Sequence, residues 1–87
     1  MTTNDYTLYG ERRDTRRNMA RFYALEITTD LLGGFRFERR WGRIGQHGRL
    51  AVEMYSSASE AKRALDAWRA RKFSTSSNAY LPKDLKR

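Results

Sequence analysis

FRFERRWGRIGQHGRLAVEMY, residues 35–55, decides the fold. Phe35, Phe37, Arg39 and Trp41 fall on one side of an extended chain, with Arg36, Glu38 and Arg40 on the other. Gly42-Arg43-Ile44-Gly45-Gln46-His47-Gly48 follows, too long for a minimal hairpin loop. Its glycines permit positive φ or the close approach of a second backbone. Leu50, Val52 and Met54 then alternate with Arg49, Ala51, Glu53 and Tyr55. With no crossover helix between them, two such strands are expected to pair antiparallel.

Working upstream, Arg21 to Thr28 alternates in the same way, Tyr23, Leu25 and Ile27 opposing Phe22, Ala24 and Glu26. Asp30-Leu31-Leu32-Gly33-Gly34 carries the glycine pair of a hairpin turn. Tyr6 to Tyr9 is a fourth, weaker strand. The apolar-free run Glu11 to Asn18 is expected to be an exposed basic loop. Downstream, Ser57-Ala58-Ser59-Glu60 has the form of a helix-capping box, and Ala61, Ala64, Leu65 and Trp68 then recur at helical spacing. Cations at Arg69, Arg71 and Lys72 suit the helix C-terminus. The expected architecture is one α+β domain across residues 1–87: a small twisted antiparallel sheet of about four strands with one helix packed across one face. Its core spans about residues 6–73, and residues 74–87 form a short basic tail.

Composition narrows the function. The 87 residues carry a formal charge of +8, and the excess comes from 14 Arg against 4 Lys. Lysine serves solubility as well as arginine does, but only arginine offers a planar fork that matches phosphates and stacks on rings. A polyanion is therefore the expected partner. The chain has no cysteine and no apolar run near the roughly 20 residues of a membrane span, and its polar first residues do not resemble a signal peptide. A cytoplasmic protein without a membrane partner is expected, with association with the nucleoid as a second option.

Catalysis is poorly provided for. The single histidine, His47, has no serine or cysteine beside it, and the carboxylates lack metal-ligand spacing. Glu38 and Glu53 are candidates to face each other across strands, as charged strand positions often do. The glycine turn lacks the Gly-Lys-Ser/Thr ending of a phosphate-binding loop and precedes a strand. The expectation is a non-enzyme with no cofactor, no metal and no small-molecule substrate.

Arg36, Arg39, Arg40, Arg43 and Arg49 instead gather around one hairpin, and Arg12, Arg13, Arg16, Arg17 and Arg21 around another segment. Trp41 lies in the middle of the first group. Such a tryptophan can stack on a base or sugar while guanidiniums hold the backbone, or it can simply pack in the core beside Phe35 and Phe37. Periodicity leaves both readings open.

Trp41-Gly42-Arg43-Ile44-Gly45-Gln46-His47-Gly48 resembles the signature of the WGR domain, found in poly(ADP-ribose) polymerases and in small bacterial proteins. The resemblance continues in Asn18-Met19-Ala20-Arg21-Phe22-Tyr23 before it. After the helix, Lys72-Phe73 followed by Thr75, Asn78 and Tyr80 matches the family's closing pattern. It implies a stand-alone nucleic-acid-binding module, connected in the polymerases with DNA repair, where the domain engages a strand break with its tryptophan against the terminal nucleotide. Carried over, Trp41 would stack, Arg43 would contact DNA and Arg21 a phosphate. Gly42, Gly45 and Gly48 would shape the hairpin, and Arg39, Arg40 and Arg49 would supply basic surface. The implied partner is DNA at ends, nicks or other discontinuities. RNA shares every one of these features, and an adaptor that docks an acidic protein is the competing class. The polymerases' catalytic domain is absent from this sequence, so no ADP-ribosyl transfer is implied.

Overall fold

The computed structural model describes residues 3–73 and 80–82. The expectations for most of the tail, including Thr75 and Asn78, lie outside those residues. The chain forms β1 (Thr3–Asp14), a 3-10 turn (Thr15–Arg17), β2 (Met19–Thr29), β3 (Phe35–Arg43), β4 (Arg49–Tyr55), α1 (Ala58–Lys72) and the two-residue β5 (Leu81–Pro82). The sheet order is β4-β3-β2-β1-β5, and every neighbouring pair is antiparallel. The four expected strands and the single helix are present, and β5 adds a short fifth strand. Among the described residues no helix is long and apolar enough to cross a membrane.

The strands run longer than the sequence reading: β1 begins at Thr3, β2 at Met19, β3 continues through Gly42 and Arg43, and the largest difference is at the end of β1. Glu11 to Asp14, expected in a loop, continues β1, paired in register with Phe22, Arg21, Ala20 and Met19. Hydrophobic alternation is blind to such an extension, because backbone pairing holds it. The side chains are satisfied locally: Tyr9 Oη and Arg13 both donate to the Glu11 carboxylate. Burial, then the bond to Glu11, raises the Tyr9 pKa above its ordinary value. The turn that closes this hairpin is capped by Asp14, which accepts from the Arg16 amide at 3.1 Å, and ends on Asn18 in the left-handed region at φ 53°. At the β2–β3 turn Asp30 accepts from the amides of Leu32 and Gly34, both at 2.9 Å, which fixes the glycine-bearing hairpin.

The helix begins as its sequence predicts, with Ser57 Oγ accepting from the Glu60 amide at 3.2 Å. Ala61 and Leu65 are fully buried against Leu25, Ile27 and Phe37, with Ala64 and Trp68 at the margin. The core therefore lies between the helix and one face of the sheet. On that face Gly10 is opposite Tyr23, and a Cβ there would collide with the Phe73 ring that closes the helix end. The other face carries the stacked pair Tyr9–Phe22 at 6.0 Å, with Phe22 buried. Glu38 and Glu53 do not face each other: Glu38 is opposite Val52, and Glu53 opposite Phe37 on the helix side.

Candidate nucleic-acid interface

The helix-bearing face of β2 and β3 changes character row by row. Its cross-strand pairs run Ile27–Phe37, Leu25–Arg39, Tyr23–Trp41 and Arg21–Arg43. Apolar burial ends at Leu25, an aromatic layer follows, and the last row is cationic. Tyr23, only 3% exposed, is the hub of the aromatic layer. Its ring lies near-parallel to Trp41 at 5.7 Å and to Trp68 at 6.4 Å, with Tyr80 at 5.5 Å and Phe73 edge-on at 6.5 Å. Trp41 is partly buried and packs against the core cluster. It packs on Tyr23, as the core reading expects, and it also lines an open cleft.

That cleft has a volume of about 290 Å³ and is lined by Arg21, Trp41, Gly42, Arg43 and Tyr80. Tyr80 reaches it because the chain after the helix returns, its amide donating to the Lys72 carbonyl at 2.7 Å. Arg12, Arg21 and Arg43 sit directly opposite one another across β1, β2 and β3. Like charges in such positions repel. Arg21, Arg40, Arg43 and Arg49 form no ion pair among the described residues, where the carboxylates pair with Arg13, Arg17, Arg36 and Arg69. Arg43 is held in place by donating to the Asn18 carbonyl at 3.2 Å and to its side-chain oxygen at 3.5 Å. A row of arginines beside open rings is a surface that gains from an anion.

The glycines make this geometry. Gly42 and Gly48 cross so closely that a Cβ on Gly42 would lie 2.7 Å from the Gly48 Cα. Gly48 has φ +74°, and a Cβ there would overlap the Trp41 carbonyl. Gly45, at φ +94°, turns the tip in open space. The crossing brings the chain back beside Trp41, where β4 begins with Arg49 opposite the tryptophan.

The six sequence-selected side chains separate. Arg21, Trp41 and Arg43 converge on the cleft, and Arg49 extends the tryptophan's row toward the sheet edge. Arg39 lies beneath, its guanidinium 4.0 Å from the Trp68 ring centre and 5.5 Å from that of Trp41, donating to Tyr23 Oη at 3.5 Å. Its Nε is buried without a hydrogen-bond partner. Arg40 points to the opposite face and donates to the His47 carbonyl at 3.4 Å. Sequence reasoning did not place Tyr23, Tyr80 or Lys72 in the site. The Lys72 ammonium stands 5.4 Å from the Tyr23 ring. Tyr80 is an isolated aromatic after a polar run, so only its place in the closing pattern signalled it.

A second cleft, of about 310 Å³, is lined by Tyr55, Glu60, Arg63 and Ala64. Tyr55 donates to Glu53 at 2.9 Å. That bond, then burial and the charges of Glu53 and Glu60, raises the Tyr55 pKa above its ordinary value. Glu60 and Arg63 balance on its wall, whereas the Trp41 cleft is lined by two arginines and no carboxylate.

The WGR domain family model matches residues 6–85, essentially the whole sequence. The chain belongs to the WGR family. WGR domains are binding domains, and in poly(ADP-ribose) polymerase-like proteins they generally bind nucleic acids. The chain is also similar to the uncharacterized protein y4dW of Sinorhizobium fredii (strain NBRC 101917 / NGR234), with 43% identity over 63 residues. That match covers 72% of this WGR chain and 31% of the relative, so the chain spans about a third of the relative's length. In this WGR domain the namesake Trp41, Gly42 and Arg43 are all lining residues of the cleft.

Proposed function

We propose that this WGR domain is a non-catalytic module that binds DNA at open ends or nicks, seating the terminal nucleotide in the Trp41 cleft. The observation that carries the reading is the cleft itself: Trp41 and Tyr80 border it together with Arg21 and Arg43. Within a continuous duplex both faces of every base pair are already stacked. An end or a nick frees one face, and a protein ring gains about 1–3 kcal/mol by covering it. Arginines then engage the flanking phosphates, which position the duplex without reading its sequence. Outside the cleft, Glu38 pairs with Arg36 and Glu53 accepts from Tyr55.

Trp41→Ala is expected to weaken binding to a blunt duplex by about 1–3 kcal/mol, roughly 5- to 150-fold, in a fluorescence-anisotropy titration. Because Trp41 also packs on Tyr23, Trp41→Leu serves beside it, filling the apolar contact while removing the flat π-face. A folded Trp41→Leu protein that binds the duplex as tightly as wild type refutes stacking. Competition with an RNA duplex of the same sequence separates DNA from RNA recognition.

A further inference from the structure

The sheet has two edges. At one, β5 pairs with β1 only at Gly10 and Glu11, and it ends in Pro82, which has no amide hydrogen to offer. β4 forms the other edge over seven residues, Arg49–Tyr55, paired with β3 from Phe35–Tyr55 to Trp41–Arg49 without interruption. It holds no proline, lysine or bulge, three of the devices that blunt an exposed edge, and its charges are Arg49 and Glu53 on the helix side. Among the described residues no strand pairs with its outer side, which presents backbone donors and acceptors, and its apolar side chains face away from the helix. Leu50, Val52 and Met54 are 45%, 39% and 54% exposed. Nothing in the core requires them to be apolar.

The pattern of β4 is self-complementary. Laid antiparallel on a second copy about a twofold axis at Val52, the strand sets Val52 against Val52, Leu50 against Met54, and Ala51 against Glu53. All seven residues pair, and the apolar row continues from one copy to the other. Arg49 falls diagonally beside Glu53 of the second copy, an attractive relation within reach of long side chains. A register centred on Glu53 would instead oppose two carboxylates. We infer that two copies of this chain associate through antiparallel pairing of β4, forming one continuous sheet centred on the Val52 pair. The occupant is a second copy because this twofold register continues the apolar row Leu50, Val52 and Met54 from one copy to the other and sets Arg49 of each copy beside Glu53 of its mate. The Trp41 cleft is lined by residues of β2 and β3 and by Tyr80 and by none of β4, so pairing leaves its lining open. The inference therefore stands or falls independently of DNA binding.

The chain lacks cysteine, which allows a clean test. Under mild oxidation Val52→Cys is expected to give a disulfide-linked dimer, because directly opposed strand residues lie within the roughly 4.4–6.8 Å Cα separation a disulfide spans. Leu50→Cys is expected to remain uncrosslinked, since the register separates the two copies by about four residues along the strand, roughly 13 Å. Sedimentation velocity on the unmodified protein should show the mean mass rising from monomer toward dimer with concentration. Val52→Asp, which opposes two carboxylates at a site outside the core, should stay monomeric with an unchanged circular dichroism spectrum. A wild type that remains monomeric at every concentration overturns the inference. So does a dimer that survives Val52→Asp, or equal crosslinking at positions 50 and 52.

Discussion

Replacing Arg21 and Arg43 together by glutamine is expected to weaken binding to a blunt duplex by about 3–6 kcal/mol, roughly 10²- to 10⁴-fold. The estimate takes two charge-assisted contacts at about 1.5–3 kcal/mol each. The slope of log affinity against log salt should become shallower by about two, one unit per lost phosphate contact. Stability should move the other way. Arg21 stands between Arg12 and Arg43 in the cross-strand register, so neutralising two of the three relieves repulsion of roughly 0.2–1 kcal/mol per pair. The exposed bond from Arg43 to Asn18 offsets a small part of that gain. The melting temperature of the double variant should therefore equal or exceed that of the wild type. A domain that stores unfavourable charge at one site and loses ligand when it is removed is using the charge for binding. Unchanged affinity with an unchanged salt slope would assign the row no part in DNA recognition.

Gly48→Ala is expected to be the most damaging single methyl addition in the hairpin. The residue has φ +74°, where an L side chain is strained by about 1–3 kcal/mol. The new Cβ would also overlap the Trp41 carbonyl, and the Gly42 Cα lies 3.2 Å away. Both obstacles are backbone, so no rotamer change relieves them. For a domain of this size each kcal/mol lowers the melting temperature by about 4–8 °C, which predicts a fall of roughly 10–20 °C by calorimetry. Gly45→Ala is the control. It shares the positive φ, 94°, but meets no atom within 4 Å, so only the conformational cost remains. Equal losses at the two positions would show that close backbone approach contributes nothing to placing Trp41.

Most of the architecture was legible in the sequence because alternation and helix spacing are local. The strand pairs around Phe35–Tyr55, the Ser57 cap and the Ala61–Leu65 stripe all follow from neighbours within a few residues. The extension of β1 through Glu11–Asp14 was not legible, since polar residues paired by their backbones leave no hydrophobic pattern. The site was partly legible. Arg21, which the sequence grouped with another segment, lines one cleft with Trp41 and Arg43, and Arg39 and Arg40, adjacent in sequence, go to opposite faces. One is wedged between tryptophan rings and the other reaches the His47 carbonyl. Alternation predicts that they part; it does not say which face the helix covers, and only that decides which arginine is near Trp41. Tyr80 joins through a chain return after the helix, a long-range contact that local pattern cannot encode.

The most direct test of the account measures the affinity of the unmodified protein for a blunt-ended duplex and for the same duplex closed at both ends by hairpin loops, at one salt concentration. Seating of a terminal nucleotide on Trp41 predicts tighter binding to the open duplex by about 1–3 kcal/mol, roughly 5- to 150-fold. Equal affinity for the two duplexes would contradict it.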